Sequence, residues 1–158
     1  MVSISYIPSS LLGGATRQAD PAPIPGAVWY TGQAEGDGLS YTFPPGALAE
    51  MRYLSADLLL DGKNLAVFDI VLQEGENGPA FMFSQGFLNQ CQARIRMPLE
   101  AVNQNRWMYE REGAWLKPRC AGQRVDLAKV DRMRFVIERL PYTTTGPLAV
   151  RWCLTDFS

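Results

Sequence analysis

A chain of 158 residues, 47% hydrophobic and 20% charged, has the composition of one ordinary globular domain, long enough to bury a core without staples. Fifteen basic and 16 acidic residues give a formal net charge of −1, which argues against broad nucleic-acid binding. Histidine is absent, which excludes Ser-His-Asp and Cys-His catalysis, histidine-ligated zinc or copper, and imidazole general-base chemistry.

Function therefore falls to carboxylates, aromatics, amides, arginines or backbone. Cys91, Cys120 and Cys153 are odd in number and widely spaced, so neither a C-x-x-C knuckle nor a full disulfide framework is present. They read as three thiols, or as one disulfide and a leftover thiol. No apolar run reaches the ~18–20 residues of a membrane span. Met1 to Tyr6 lacks the basic and apolar regions of a signal peptide.

Residues 8–27 are rich in Pro, Gly and Ala, with Pro21, Pro23 and Pro25 favouring polyproline-like backbone. Residues 1–27 are accordingly expected to form an extended arm or linker, and 28–158 the compact domain. From Val28 onward, short apolar runs alternate with turn residues. Val28–Thr31, Leu39–Phe43, Arg52–Leu60 and Leu65–Gln73 read as strands, with Asp61-Gly62 as a turn between the last two. Ala80–Ser84, Gln92–Met97, Trp107–Tyr109, Ala114–Lys117, Arg132–Arg139 and Ala149–Leu154 complete the set. No long window carries the i, i+3, i+4, i+7 spacing of an amphipathic helix. The fold class is therefore all-β, an antiparallel sandwich or jelly roll.

Alternation splits each strand into two faces. Leu54, Ala56, Leu58 and Leu60, then Ala66, Phe68, Ile70 and Leu72, then Ala93, Ile95 and Met97, then Met133, Phe135 and Ile137 make one apolar set, the expected core. The opposite set holds Asp57, Asp69, Gln73, Gln92, Arg94, Arg96, Arg134 and Glu138. One reading is a solvated face with cross-strand charge pairs. The other is a polar platform, since carboxylates, amides and guanidinium groups match vicinal hydroxyls of a sugar.

Trp29 and Trp152 lie in the first and last strands of the compact part and read as packing. Trp107 and Trp115 lie in a segment dense in Asn, Gln, Arg and Glu, where an indole can stack on a ligand. Tyr109, with Asn103, Gln104, Asn105, Arg106 and Arg111, supplies polar neighbours. Asp57, Asp69, Glu110 and Glu112 provide carboxylates for a hydrolytic pair, which nothing in the sequence brings together. The run Gly36-Asp37-Gly38 after Glu35 reads as a turn, or as oxygen ligands for calcium.

The strand VWYTG, the pair RYLSADLLL and LAVFDIVLQ, and the late RVDLAKVDRMRFVIERL and AVRWCLTDF resemble the galactose-binding-like jelly roll. This is the family of carbohydrate-binding modules of polysaccharide-degrading enzymes, and the likeness runs from Trp29 to the C-terminus. Val125-Asp126-Leu127, Val130 and Asp156 stand where that family has its recurring residues. The resemblance implies poly- or oligosaccharide binding without catalysis, beside a catalytic domain where the chain is part of a larger glycan-degrading enzyme, which would then be secreted or at the cell surface; charge and hydropathy point to neither nucleic acid nor membrane as partner. It implies no required cofactor beyond a structural calcium, with Glu35, Asp37 and Asp156 in matching places. On this reading Trp107, Tyr109 and Trp115 stack on sugar rings, and Asp57, Asp69, Gln73, Gln92, Arg94 and Arg96 bind hydroxyls. The alternatives are a structural sandwich that mediates assembly, and a small glycan lyase or hydrolase.

Overall fold

The computed structural model describes residues 6–103, 109–111, 114–116, 119–143 and 146–158. Its strands are β1 (Ser10–Leu12), β2 (Thr16–Gln18), β3 (Val28–Gly32), β4 (Gly38–Thr42), β5 (Tyr53–Asp61), β6 (Ala66–Gln73), β7 (Ala80–Phe87) and β8 (Gln92–Pro98). After a single 3-10 turn (Leu99–Ala101) come β9 (Tyr109–Arg111), β10 (Ala114–Leu116), β11 (Arg119–Gly122), β12 (Arg132–Arg139), β13 (Tyr142–Thr143), β14 (Gly146–Pro147) and β15 (Val150–Leu154). One antiparallel sheet has the order β1-β4-β12-β6-β7-β11 and the other β2-β3-β15-β5-β8. The pairs β9–β10 and β13–β14 stand apart from both sheets. Among the described residues no helix is long and apolar enough to cross a membrane.

The two sheets pack face to face as an all-β jelly-roll sandwich. The cause is the expected alternation: Leu54, Leu58, Leu60, Phe68, Leu72 and Phe135 are fully buried in one core cluster. Phe68 and Phe135 stack at 4.7 Å and 6°, and Trp152 meets Phe68 edge-on at 5.1 Å. Each such side chain stabilises the fold by about 1.5–3 kcal/mol. Close approach of β4 and β12 depends on Gly38, where a Cβ would stand 2.1 Å from the Phe135 carbonyl oxygen. Among the described residues no disulfide joins the cysteines; Cys91 is exposed and Cys153 buried.

Residues 6–27 are not a free linker. β1 pairs with β4 at the edge of one sheet, and β2 pairs with β3 at the edge of the other. The turn-rich stretch after β2 then folds over the outer face of the five-stranded sheet. Ile24 packs there on Trp29 and Cys153. The Trp29 indole N–H donates to the Pro21 carbonyl at 3.1 Å. The Arg151 guanidinium lies 3.9 Å over the Trp29 ring and reaches Asp20 Oδ2 at 3.2 Å. Proline-rich composition signals an absence of helix, and here it is read out as edge strands and a cover.

Candidate functional site

The outward-facing polar residues do not form one platform. β5 and β8 belong to one sheet, β6 and β12 to the other. Asp57, Gln92, Arg94 and Arg96 therefore face one side of the sandwich, and Asp69, Gln73, Arg134 and Glu138 the other. Stacked sheets lie ~10 Å apart with outer side chains directed away from each other. Asp57 and Asp69 thus cannot flank one glycosidic bond.

On the six-stranded face, Asp69 is buried and accepts a hydrogen bond from Ser84 Oγ across β6–β7. The Gln73 amide donates to the carbonyls of Glu76 and Gly78, bracing the loop before β7. Both have structural work there. Asn103, expected beside a ligand, has a left-handed φ of 77° and a side chain that closes both ways on the Val125 backbone. It ties the end of the turn after β8 to the stretch before β12. Trp107 lies outside the described residues. Tyr109 and Trp115 lie on the β9–β10 hairpin, with Trp115 opposite Glu110 and Leu116 opposite Tyr109; their side chains are outside the description.

The expected calcium ligands are not brought together. Among the described residues no group of three or more acidic or thiol side chains is placed to hold a metal ion. β15 runs antiparallel to β3, Val150 opposite Gly32 and Leu154 opposite Val28. Asp37 follows one end of β3 and Asp156 lies past the other, with roughly 14 Å of strand between. Asp37 is instead a buried staple. Its carboxylate accepts from the backbone N–H groups of Gly14 (2.8 Å), Gln33 (2.9 Å) and Ala34 (3.1 Å). These bonds, that of Gln33 foremost, hold its carboxyl below the usual range against the opposing effect of burial. Glu35 is exposed in the same loop.

Asp57, Arg94, Arg96 and Asp156 do come together. They line an open groove of about 300 Å³ on the five-stranded face, with Tyr53, Ser55, Thr155 and Ser158. The β5–β8 register sets Asp57 opposite Arg94 and Ser55 opposite Arg96. Arg94 Nε donates to Asp57 Oδ1 at 2.8 Å and Nη2 to Oδ2 at 3.1 Å. This two-point bond holds the Asp57 carboxyl below the usual carboxylate range. The Arg94 side chain stays 70% exposed, so donors remain for a ligand. The Arg96 guanidinium lies 4.0 Å over the Tyr53 ring, which fixes its fork in place. Gln92 shares this face but lies outside the groove lining.

The far wall comes from the segment after β15. Ser55 and Ser158 exchange backbone hydrogen bonds at 2.7 and 2.9 Å, and Thr155 Oγ1 accepts from the Asp57 N–H at 2.8 Å. Phe157 is fully buried in the core, so alternation turns Asp156 and Ser158 outward beside Ser55. Sequence reasoning passed over Tyr53, Ser55, Thr155 and Ser158. The signal for the first two was available, since residues 53, 55 and 57 share one face of β5.

Part of a glycosidase-family structure has this fold. PfGH50B, a glycoside hydrolase family 50 structure, is similar at a TM-score of 0.68 and 9% identity over 99% of this chain. The chain spans 23% of the length of that one. The family 11 carbohydrate-binding module from Clostridium thermocellum, in complex with a β-1,3-1,4-mixed-linked tetrasaccharide, is similar over 94% of this chain and 95% of its own, at a TM-score of 0.46 and 12% identity. No protein-family model matches the chain, and no curated protein does.

Proposed function

We propose that this domain is a non-catalytic carbohydrate-binding module whose site is the groove on the five-stranded face. The observation that carries the reading is the pre-set donor and acceptor array of Asp57, Arg94 and Arg96, open to solvent and fixed by cross-strand pairing. Such an array binds hydroxyl pairs with little ordering cost. Two arginines face two aspartates in the lining, which favours a neutral glycan over an acidic one. A general acid needs a raised pKa, whereas Asp57 is held ionised by Arg94 and has no proton to give near neutrality. The likeness to a 23% portion of PfGH50B supports an accessory place beside a catalytic domain in a longer chain.

The test is affinity electrophoresis against a panel of β-glucan, xylan, mannan, galactan and agarose. One polysaccharide is expected to retard the protein. Arg94→Ala and Arg96→Ala are expected to weaken that retention at least tenfold, with Tm lowered by about 4 °C or less, because exposed pairs add little stability. Trp115→Ala, run alongside, reports whether the β9–β10 hairpin adds a stacking surface, as Trp107 and Tyr109 in the same segment would. Retention of nothing, or release of reducing ends from the polysaccharide, overturns the reading.

A further inference from the structure

A second groove, of about 340 Å³, lies between the N-terminal arm and the sandwich. Ile7 and Leu11 form its apolar rim, Arg17 and Asp156 are its charged groups, and Tyr30 stands at its floor. Ile7 is 66% exposed and Leu11 43%, which is unusual for large apolar side chains in this molecule. The Tyr30 hydroxyl is raised in pKa by burial, drawn down by Arg17 and raised by Asp156, so both charges stand close to it.

Asp156 lines both grooves. The backbone explains why. Residues 155–158 continue β15 along β5, and on their other side Tyr6 and Phe157 pair by hydrogen bonds of 2.6 and 3.1 Å. Tyr6 and Phe157 both point into the core, so Asp156 and Ile7 point out on the same face. That face therefore runs across β8, β5, residues 155–158 and Ile7, and meets at Asp156 the second groove, which Tyr30 and its register partner Arg17 enter from the core side of β3 and β2. At ~4.8 Å per neighbour it spans roughly 14 Å. Each groove alone is at the low end of the ~300–1,000 Å³ of ligand sites, and the two joined fall well inside it.

We infer that the two grooves form one extended site that binds an internal stretch of a glycan chain, with the arm groove as a subsite beyond Asp156. The inference rests on the glycan-binding reading above. Arg94, Arg96 and Asp57 hold hydroxyls at one end. Ile7 and Leu11 offer an apolar ledge to a ring's C–H face at the other, and Arg17 and Asp156 bond the hydroxyls around it. The arm is then part of the binding machinery, and a monosaccharide is too short to use the site.

Isothermal titration with di- to octasaccharides cut from the retained polysaccharide tests this. Wild-type affinity is expected to rise at least tenfold with length until both grooves are filled. Ile7→Ser and Arg17→Ala, both at exposed positions, are expected to abolish that gain while leaving disaccharide affinity within twofold. Affinity independent of length, or a length gain that survives both variants, overturns the extended site and leaves the first groove standing. Retention of no polysaccharide by the wild type overturns the first reading and this one with it.

Discussion

Asp37 shows how a residue's chemistry and its role part ways. An acidic side chain between glycines suits a cation in sequence, yet three backbone N–H groups already fill its oxygens. It ties the arm at Gly14 to the β3–β4 loop. Asp37→Ala would strand these donors in a site only 5% exposed, and is expected to cost roughly 3 kcal/mol. Urea unfolding at neutral pH measures it; a loss below about 1 kcal/mol would mean that water replaces the carboxylate. Asp57 is the opposite case, also paired but in the open, where its bond to Arg94 orders a surface more than it stabilises a fold.

At the scale of elements, strand existence was legible and strand partnership was not. β5, β6, β8 and β12 were expected with the correct inward faces, because alternation is a local property of the chain. Their distribution between two sheets depends on pairing between distant segments, such as β6 with β12 and β5 with β15. No local pattern encodes that, and the expected single platform split into two. The two strands of the arm were not expected for a related reason: edge strands of three residues with Gly and Pro around them carry no alternation worth reading. The β4–β12 contact yields a test at this scale. Gly38→Ala places a methyl on the Phe135 carbonyl and must push the strands apart, at an expected 3 kcal/mol or about that. Thermal melting reads it, and an unchanged Tm would show that the ladder yields without cost.

For the molecule as a whole, charge linkage predicts the pH range of stability. Asp37, Asp57 and Asp131 have carboxyl groups held below the ordinary range by backbone N–H, Arg94 and Arg132 partners respectively. A lowered pKa gives stability that is complete above the unfolded value of 3.8 and lost as pH falls through the folded one. Tyr6, Tyr30 and Tyr41 are raised by burial, so their share is complete below the unfolded value of 10.0 and lost as pH rises through the folded ones. With no histidine to titrate between, the urea midpoint is expected to stay flat from about pH 5 to pH 8 and to fall on either side. A slope inside that window would contradict the assignment.

The sequence by itself determined an all-β chain with one apolar core, which residues of each strand enter it, and that catalysis could not use imidazole. These follow from period-2 alternation and composition, which are local and additive. Only the tertiary structure decided which polar residues share a surface, that Asp37 serves the backbone, and that residues 155–158 form the far wall of the groove. Those facts depend on contacts between segments as far apart as Tyr6 and Phe157, and a side chain's neighbours across strands are fixed only when the whole sheet has chosen its order.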